Sequence, residues 1–124
     1  MLRRAWKLRV GWALLVPLMG SCAEAPVPHA GAALVAAARA DAARRFGQPP
    51  SAFTLVSAEP VTWRDGSLGC PQPGRAYTQA LVPGWRIRLS GPNGELDYHA
   101  RANGVPVLCP PDRAVDPLSD TGRT

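Results

Sequence analysis

Three cysteines and two histidines carry most of the chemistry open to this 124-residue chain. Cys70, which precedes Pro71, could serve as a nucleophile if a base drew off its proton, and His99 is the imidazole that the folded part offers for that role. Asp65, Ser67 and His99 also supply the residue types of a hydrolase triad. Their local string, Asp65-Gly66-Ser67-Leu68-Gly69, lacks the first glycine of G-x-S-x-G, and no strand-to-helix turn follows it. Asp65 and Ser67 are therefore expected to bond to their own loop backbone, as such residues do in turns. His29 lies in a proline-containing stretch without partners for a metal, so no metal or cofactor site is expected. Three cysteines leave one unpaired in any scheme of internal disulfides.

Cys70 sits inside the stretch around which the chain is organised, residues 63–79, W-R-D-G-S-L-G-C-P-Q-P-G-R-A-Y-T-Q. Glycine supplies positive φ, proline fixes φ and cysteine can staple the outcome, so this is a shaped loop. Trp63, Tyr77 and Trp85 cluster around it. Such aromatics pack in cores more often than not, but an exposed aromatic beside a rigid loop also makes a binding surface. Trp63, Asp65, Leu68, Gln72, Tyr77 and Trp85 are the candidate binding residues.

The elements that must position this loop are legible from periodicity. Residues 32–46 place Leu34, Val35, Ala38, Ala42 and Phe46 on one arc, the stripe of an amphipathic helix, although Arg45 falls inside that arc. Arg44 and Arg45 suit the negative end of the helix dipole, Gly47 is placed for a C-terminal cap, and Pro49-Pro50 bars continuation. Residues 53–63, F-T-L-V-S-A-E-P-V-T-W, read as a strand with Pro60 at a sheet edge or a bulge. Beyond the loop, residues 77–82 read as a short extended piece ending at Pro83-Gly84. Trp85, Ile87 and Leu89 then alternate with Arg86 and Arg88. Asn93-Gly94 signals a hairpin into residues 95–101, with Leu96 and Tyr98 on one face and Glu95, Asp97, His99 and Arg101 on the other. The two arginines are expected to face solvent and pair with Glu95 or Asp97. Asn103-Gly104 turns the chain into a last strand over 105–109. Residues 110–124, with prolines and no period, are expected to be disordered. The expected fold is α+β: one N-terminal helix packed on a three- or four-stranded antiparallel sheet.

The pI near 9.9 and formal charge of +5 would suggest a nucleic-acid partner. Of fourteen basic residues, however, Arg3, Arg4, Lys7 and Arg9 precede the apolar run 10–19, and the rest nearly balance nine acidic residues. A nucleic-acid role is set aside. That run of about ten residues is too short to span a bilayer, which takes roughly 20 helical residues. It reads as the hydrophobic region of a secretory signal.

The first 22 residues resemble a bacterial lipoprotein signal peptide. Its lipobox here reads Met19-Gly20-Ser21-Cys22, with methionine where leucine is usual. The resemblance implies cleavage after Ser21, diacylglycerol on the Cys22 thiol and acylation, commonly palmitate, of the new amino terminus. Residues 1–21 would then be the signal, 22–31 a tether, 32–109 the folded domain and 110–124 a tail. A soluble secreted protein with a chance cysteine is the alternative. If Cys22 carries lipid, Cys70 and Cys109 remain and can pair in an oxidising compartment. The anchor implies an extracytoplasmic position in the cell envelope, at the outer membrane if the source has two membranes.

Residues 61–89 are similar to a small exported bacterial module with the pattern Trp-x-Asp, Ser-Leu-Gly-Cys-Pro-x-Pro-Gly, Tyr-x-Gln and Pro-Gly-aromatic-x-Ile, a likeness extending over 32–109. It brings no activity with it. The expected function is a lipid-anchored extracytoplasmic binding domain rather than an enzyme, presenting the stapled loop to an envelope protein or a protease. A thiol-dependent enzyme using Cys70 with His99, or a purely structural envelope protein, are the alternatives.

Overall fold

The computed structural model describes residues 29–119, besides Gly11, with helix side chains from Gly31 onward. The expectations for the signal 1–21, for lipid on Cys22 and for most of the tether lie outside the described residues. The fold is α+β. Helix α1 (His29–Phe46) and a 3-10 turn (Pro50–Ala52) precede β1 (Thr54–Trp63), β2 (Val82–Gly91), β3 (Gly94–Arg101) and β4 (Val107–Cys109). All neighbours pair antiparallel, in the order β1-β2-β3-β4.

Alanine-rich composition favours α1 locally, but its apolar stripe holds it in place. Leu34, Val35, Ala38 and Ala42 are buried against Trp85, Ile87, Leu89, Tyr98 and Ala100 on one sheet face, with Phe46 packed at the margin. Gly47 ends the helix at φ +61°, and the Gln48 N–H returns to the Ala43 carbonyl at 3.2 Å, the six-to-one bond of a Schellman cap. Arg45 escapes the apolar arc by turning outward to Asp41, 2.6 Å away. The helix begins at His29, so the last three residues of the expected tether are helical.

β1 is an edge strand, as Pro60 implied, but its bulge lies between Leu55 and Ser57. The Thr62 carbonyl points off the outer edge, where it accepts the Leu118 N–H at 3.0 Å. Pro60, two residues earlier, faces the same way by the strand's alternation, so its missing donor removes nothing from the β1–β2 ladder.

Three expectations need correction. Residues 77–81 form no strand, and Pro83-Gly84, expected to end one, lies inside β2. Gly84 makes this possible, since a Cβ there would collide with the Ala100 carbonyl and the Trp63 indole. The hairpin after β2 turns on Pro92-Asn93, with Gly94 taking φ +103°. Residues 110–119 are not a disordered tail but an ordered strap. The Val115 N–H donates to the Gly69 carbonyl at 2.8 Å, besides the Leu118 bond to Thr62. Finally, the polar-looking face of β3 is not exposed throughout: His99 is fully buried and Asp97 half-buried under the loop and its strap, while Glu95 and Arg101 at the two ends stay exposed.

Candidate functional site

The loop between β1 and β2 folds back over the sheet face opposite α1. Strand alternation places Arg86, Asp97, His99 and Cys109 on that face, in adjacent register positions. Three devices fasten the loop. The Cys70–Cys109 disulfide, with Cα atoms 5.7 Å apart, ties it to β4. His99 Nδ1 lies 2.6 Å from the Leu68 carbonyl, and since a carbonyl only accepts, that nitrogen carries the proton. The Gly66 N–H donates to the Thr78 carbonyl at 2.9 Å, closing the loop's neck.

Trp63 forms the floor. Its ring is fully buried, its N–H donates to the Ala100 carbonyl at 3.1 Å, and His99 stacks on it with centroids 4.4 Å apart. Leu68 adopts φ +56°, the left-handed region that a branched side chain occupies only at a cost of about 1–2 kcal/mol. That conformation carries its carbonyl to His99. The other ring nitrogen of His99, Nε2, is buried 3.1 Å from Asp97 Oδ2 but off the line of a hydrogen bond.

Beside this floor lies a half-buried ion cluster. Arg86 grips Asp97 with two nitrogens, at 3.1 and 2.8 Å, and reaches Asp116 of the strap with a third at 2.8 Å. Burial alone would push the Asp97 carboxyl up, but the adjacent His99 and the Arg86 fork outweigh it and hold the group well below the usual carboxylate range. The hydrogen bond to Asp97 likewise raises Arg86 despite its burial. Asp65 accepts both the hydroxyl and the backbone N–H of Ser67, which lower its carboxyl. This is the turn bonding expected of the pair.

The exposed tip is a turn at residues 72–75. The Arg75 N–H donates to the Gln72 carbonyl at 3.2 Å, Pro73 holds the first corner and Gly74 takes φ +77° at the second, a type II turn. The Gln72 N–H donates to the Tyr77 hydroxyl at 2.9 Å, so the aromatic braces the tip from behind. Residues 72–76 are all exposed.

The structure divides the six candidate binding residues. Gln72 and Tyr77 meet at the tip, with Leu68 and Asp65 half-buried at its base. Trp63 and Trp85 do not belong to a binding surface: Trp63 is the floor under the loop, and Trp85 lies across the sheet in the helix-side core. The sulfur of Cys70 is bonded to Cys109 rather than free. Val115 and Asp116, which close the loop side, went unnoticed in the sequence because one apolar and one acidic residue among prolines have no period. Among the described residues, no group of three or more His, Cys, Asp or Glu is placed to hold a metal ion, and no helix is long and apolar enough to cross a membrane.

Residues 35–109 match the family described as Domain of unknown function (DUF8738), and the chain belongs to that family. No curated protein and no solved structure matches it.

Proposed function

We propose that this member of the DUF8738 family is a lipid-anchored, extracytoplasmic binding domain that presents the 68–74 loop to a protein of the cell envelope. The observation that carries the reading is the tip: an exposed turn fixed by Pro73, Gly74, the Tyr77 hydroxyl and, at its base, a disulfide. A loop already ordered in its free state loses little conformational entropy on binding, which is how small surfaces reach useful affinity. Pairing of Cys70 with Cys109 and the complete burial of His99 favour this over thiol chemistry. The turn also favours an envelope protein over a protease, because a protease cleft takes an extended segment by strand pairing.

The anchor rests on the lipobox at 19–22. Metabolic labelling with an alkyne fatty acid should mark the wild type and not Cys22→Ser. Partner capture is tested with a photo-crosslinker at Arg75 in cells, against the same probe at Arg44 on α1. A discrete adduct from Arg75, lost in Gly74→Val, supports the reading. The same adducts from both positions, or from neither, would overturn it.

A further inference from the structure

The strap 110–119 lies past the family's 35–109 span and follows a groove between the outer end of β1 and the loop. Its attachment has a simple grammar. One N–H, from Val115, meets the Gly69 carbonyl, and another, from Leu118, meets the Thr62 carbonyl. Between them the Asp116 carboxylate meets Arg86. The groove thus presents two outward carbonyls and one guanidinium nitrogen, which together ask for an extended segment with a donor at one position, a carboxylate at the next and a second donor three positions after the first.

The walls do not depend on the strap. Gly69 and its neighbours are fixed by the disulfide, by the bond between His99 and Leu68 and by the neck at Gly66. Arg86 holds Asp97 with two nitrogens other than the one that meets Asp116. Gly69 permits close approach, since a Cβ there would lie 2.6 Å from the Trp63 ring.

The two strap side chains at the centre of the groove are lightly held. Asp116 is 85% exposed as a side chain, and such an ion pair contributes ~0–1 kcal/mol. Val115 is 45% exposed, and a cavity of about 80 Å³ remains among Trp63, Arg64, Asp65, Ser67, Gly69 and Pro71 beside it. A larger apolar side chain at that position has room to enter.

We infer that this groove is a docking site for an extended acidic segment of another protein, which the strap occupies in cis. The inference goes beyond the loop-tip reading: the groove shares Gly69 and Pro71 with the 68–74 loop but lies on its strap side and uses none of the tip residues 72–77. The preferred ligand carries a bulky apolar residue followed directly by Asp or Glu.

The test uses a fluorescein-labelled peptide of sequence DRAVDPLS, copied from 112–119, and a second with leucine in place of its valine. Binding is measured by anisotropy to the intact mature chain, to Asp116→Ala, and to Val115→Pro/Asp116→Arg, which removes one donor and repels Arg86. The inference expects binding at least tenfold tighter to the double variant than to wild type, a smaller gain in Asp116→Ala, and tighter binding of the leucine peptide. Replacing the peptide's first aspartate after valine by alanine should lose at least fivefold. Near-UV circular dichroism of the buried tryptophans checks that each variant is folded. If the double variant unfolds, Asp116→Ala alone decides, because it removes no buried group. Absence of binding to a folded, opened chain, or equal binding to opened and wild-type chains, would overturn the inference.

Discussion

His99 lies almost flat against Trp63, with ring planes inclined by 24° and centroids 4.4 Å apart. The pair joins β1 to β3 across β2 and forms the floor on which the loop rests. It is a second small core, on the face opposite the helix, and its members are polar-capable rings whose N–H groups are spent on the Ala100 and Leu68 carbonyls. A buried aromatic with a satisfied N–H contributes both area and direction.

Trp63→Ala should cost roughly 3–5 kcal/mol, because it empties the floor and removes the indole N–H from the Ala100 carbonyl. Trp63→Phe should cost less, as it keeps much of the packing and loses only the N–H. Urea denaturation of the two variants checks the order.

Loss of the disulfide, in Cys70→Ser/Cys109→Ser or by reduction, should cost about 4 kcal/mol by the chain-entropy account, since the linked residues are 39 apart in sequence. Protection of the 64–79 amides from hydrogen exchange should fall before that of β2 and β3. Uniform loss of protection would show that the bridge supports the whole domain rather than the loop.

Asp97→Asn should destabilise the chain by roughly 2–3 kcal/mol near neutral pH, by weakening the charged grip of Arg86. The Asp97 carboxyl is held well below its unfolded value. The unfolded chain therefore takes up a proton first as acid is added, and the folded chain does so only later. The stabilisation is thus present above about pH 4 and is lost as the pH falls below it. Denaturation of wild type and Asp97→Asn should show a constant gap from about pH 5 to 8 that narrows below about pH 4. A gap unchanged at low pH would refute the assignment.

Tyr98 behaves in the opposite sense. Burial first, and then its hydrogen bond and proximity to Asp41, push the phenol above its ordinary range, while Asp41, despite its own burial, is lowered by its bonds to Arg45 and Tyr98. Stability from a raised phenol is complete below about pH 10 and is lost as the pH rises through the folded value. Tyr98→Phe should cost about 1–2 kcal/mol at neutral pH. In alkaline absorbance titration, the Tyr98 contribution, taken as wild type minus Tyr98→Phe, should emerge late and together with unfolding.

The elements with a strong local period were legible without coordinates. The stripe Leu34, Val35, Ala38, Ala42 determined the helix and its buried side. Gly47 and Pro49-Pro50 determined its end, Pro60 the edge position of β1, and Asn93-Gly94 the hairpin, because each rests on backbone geometry that neighbours in sequence decide. The pairing of Cys70 with Cys109 could be argued by assigning Cys22 to lipid, and the two do meet. Tertiary structure decided the rest. Alternation in β3 implies one wet face, yet His99 on it is buried, because alternation reports that two faces differ and not what covers each. Pro83-Gly84 resembled a turn in isolation and became strand because Gly84 lets β2 pass close to Ala100 and Trp63. Residues 110–119 have no period, yet backbone bonds from Val115 and Leu118 and the Asp116 ion pair help hold them, and backbone bonds to a distant loop leave no mark on side-chain pattern.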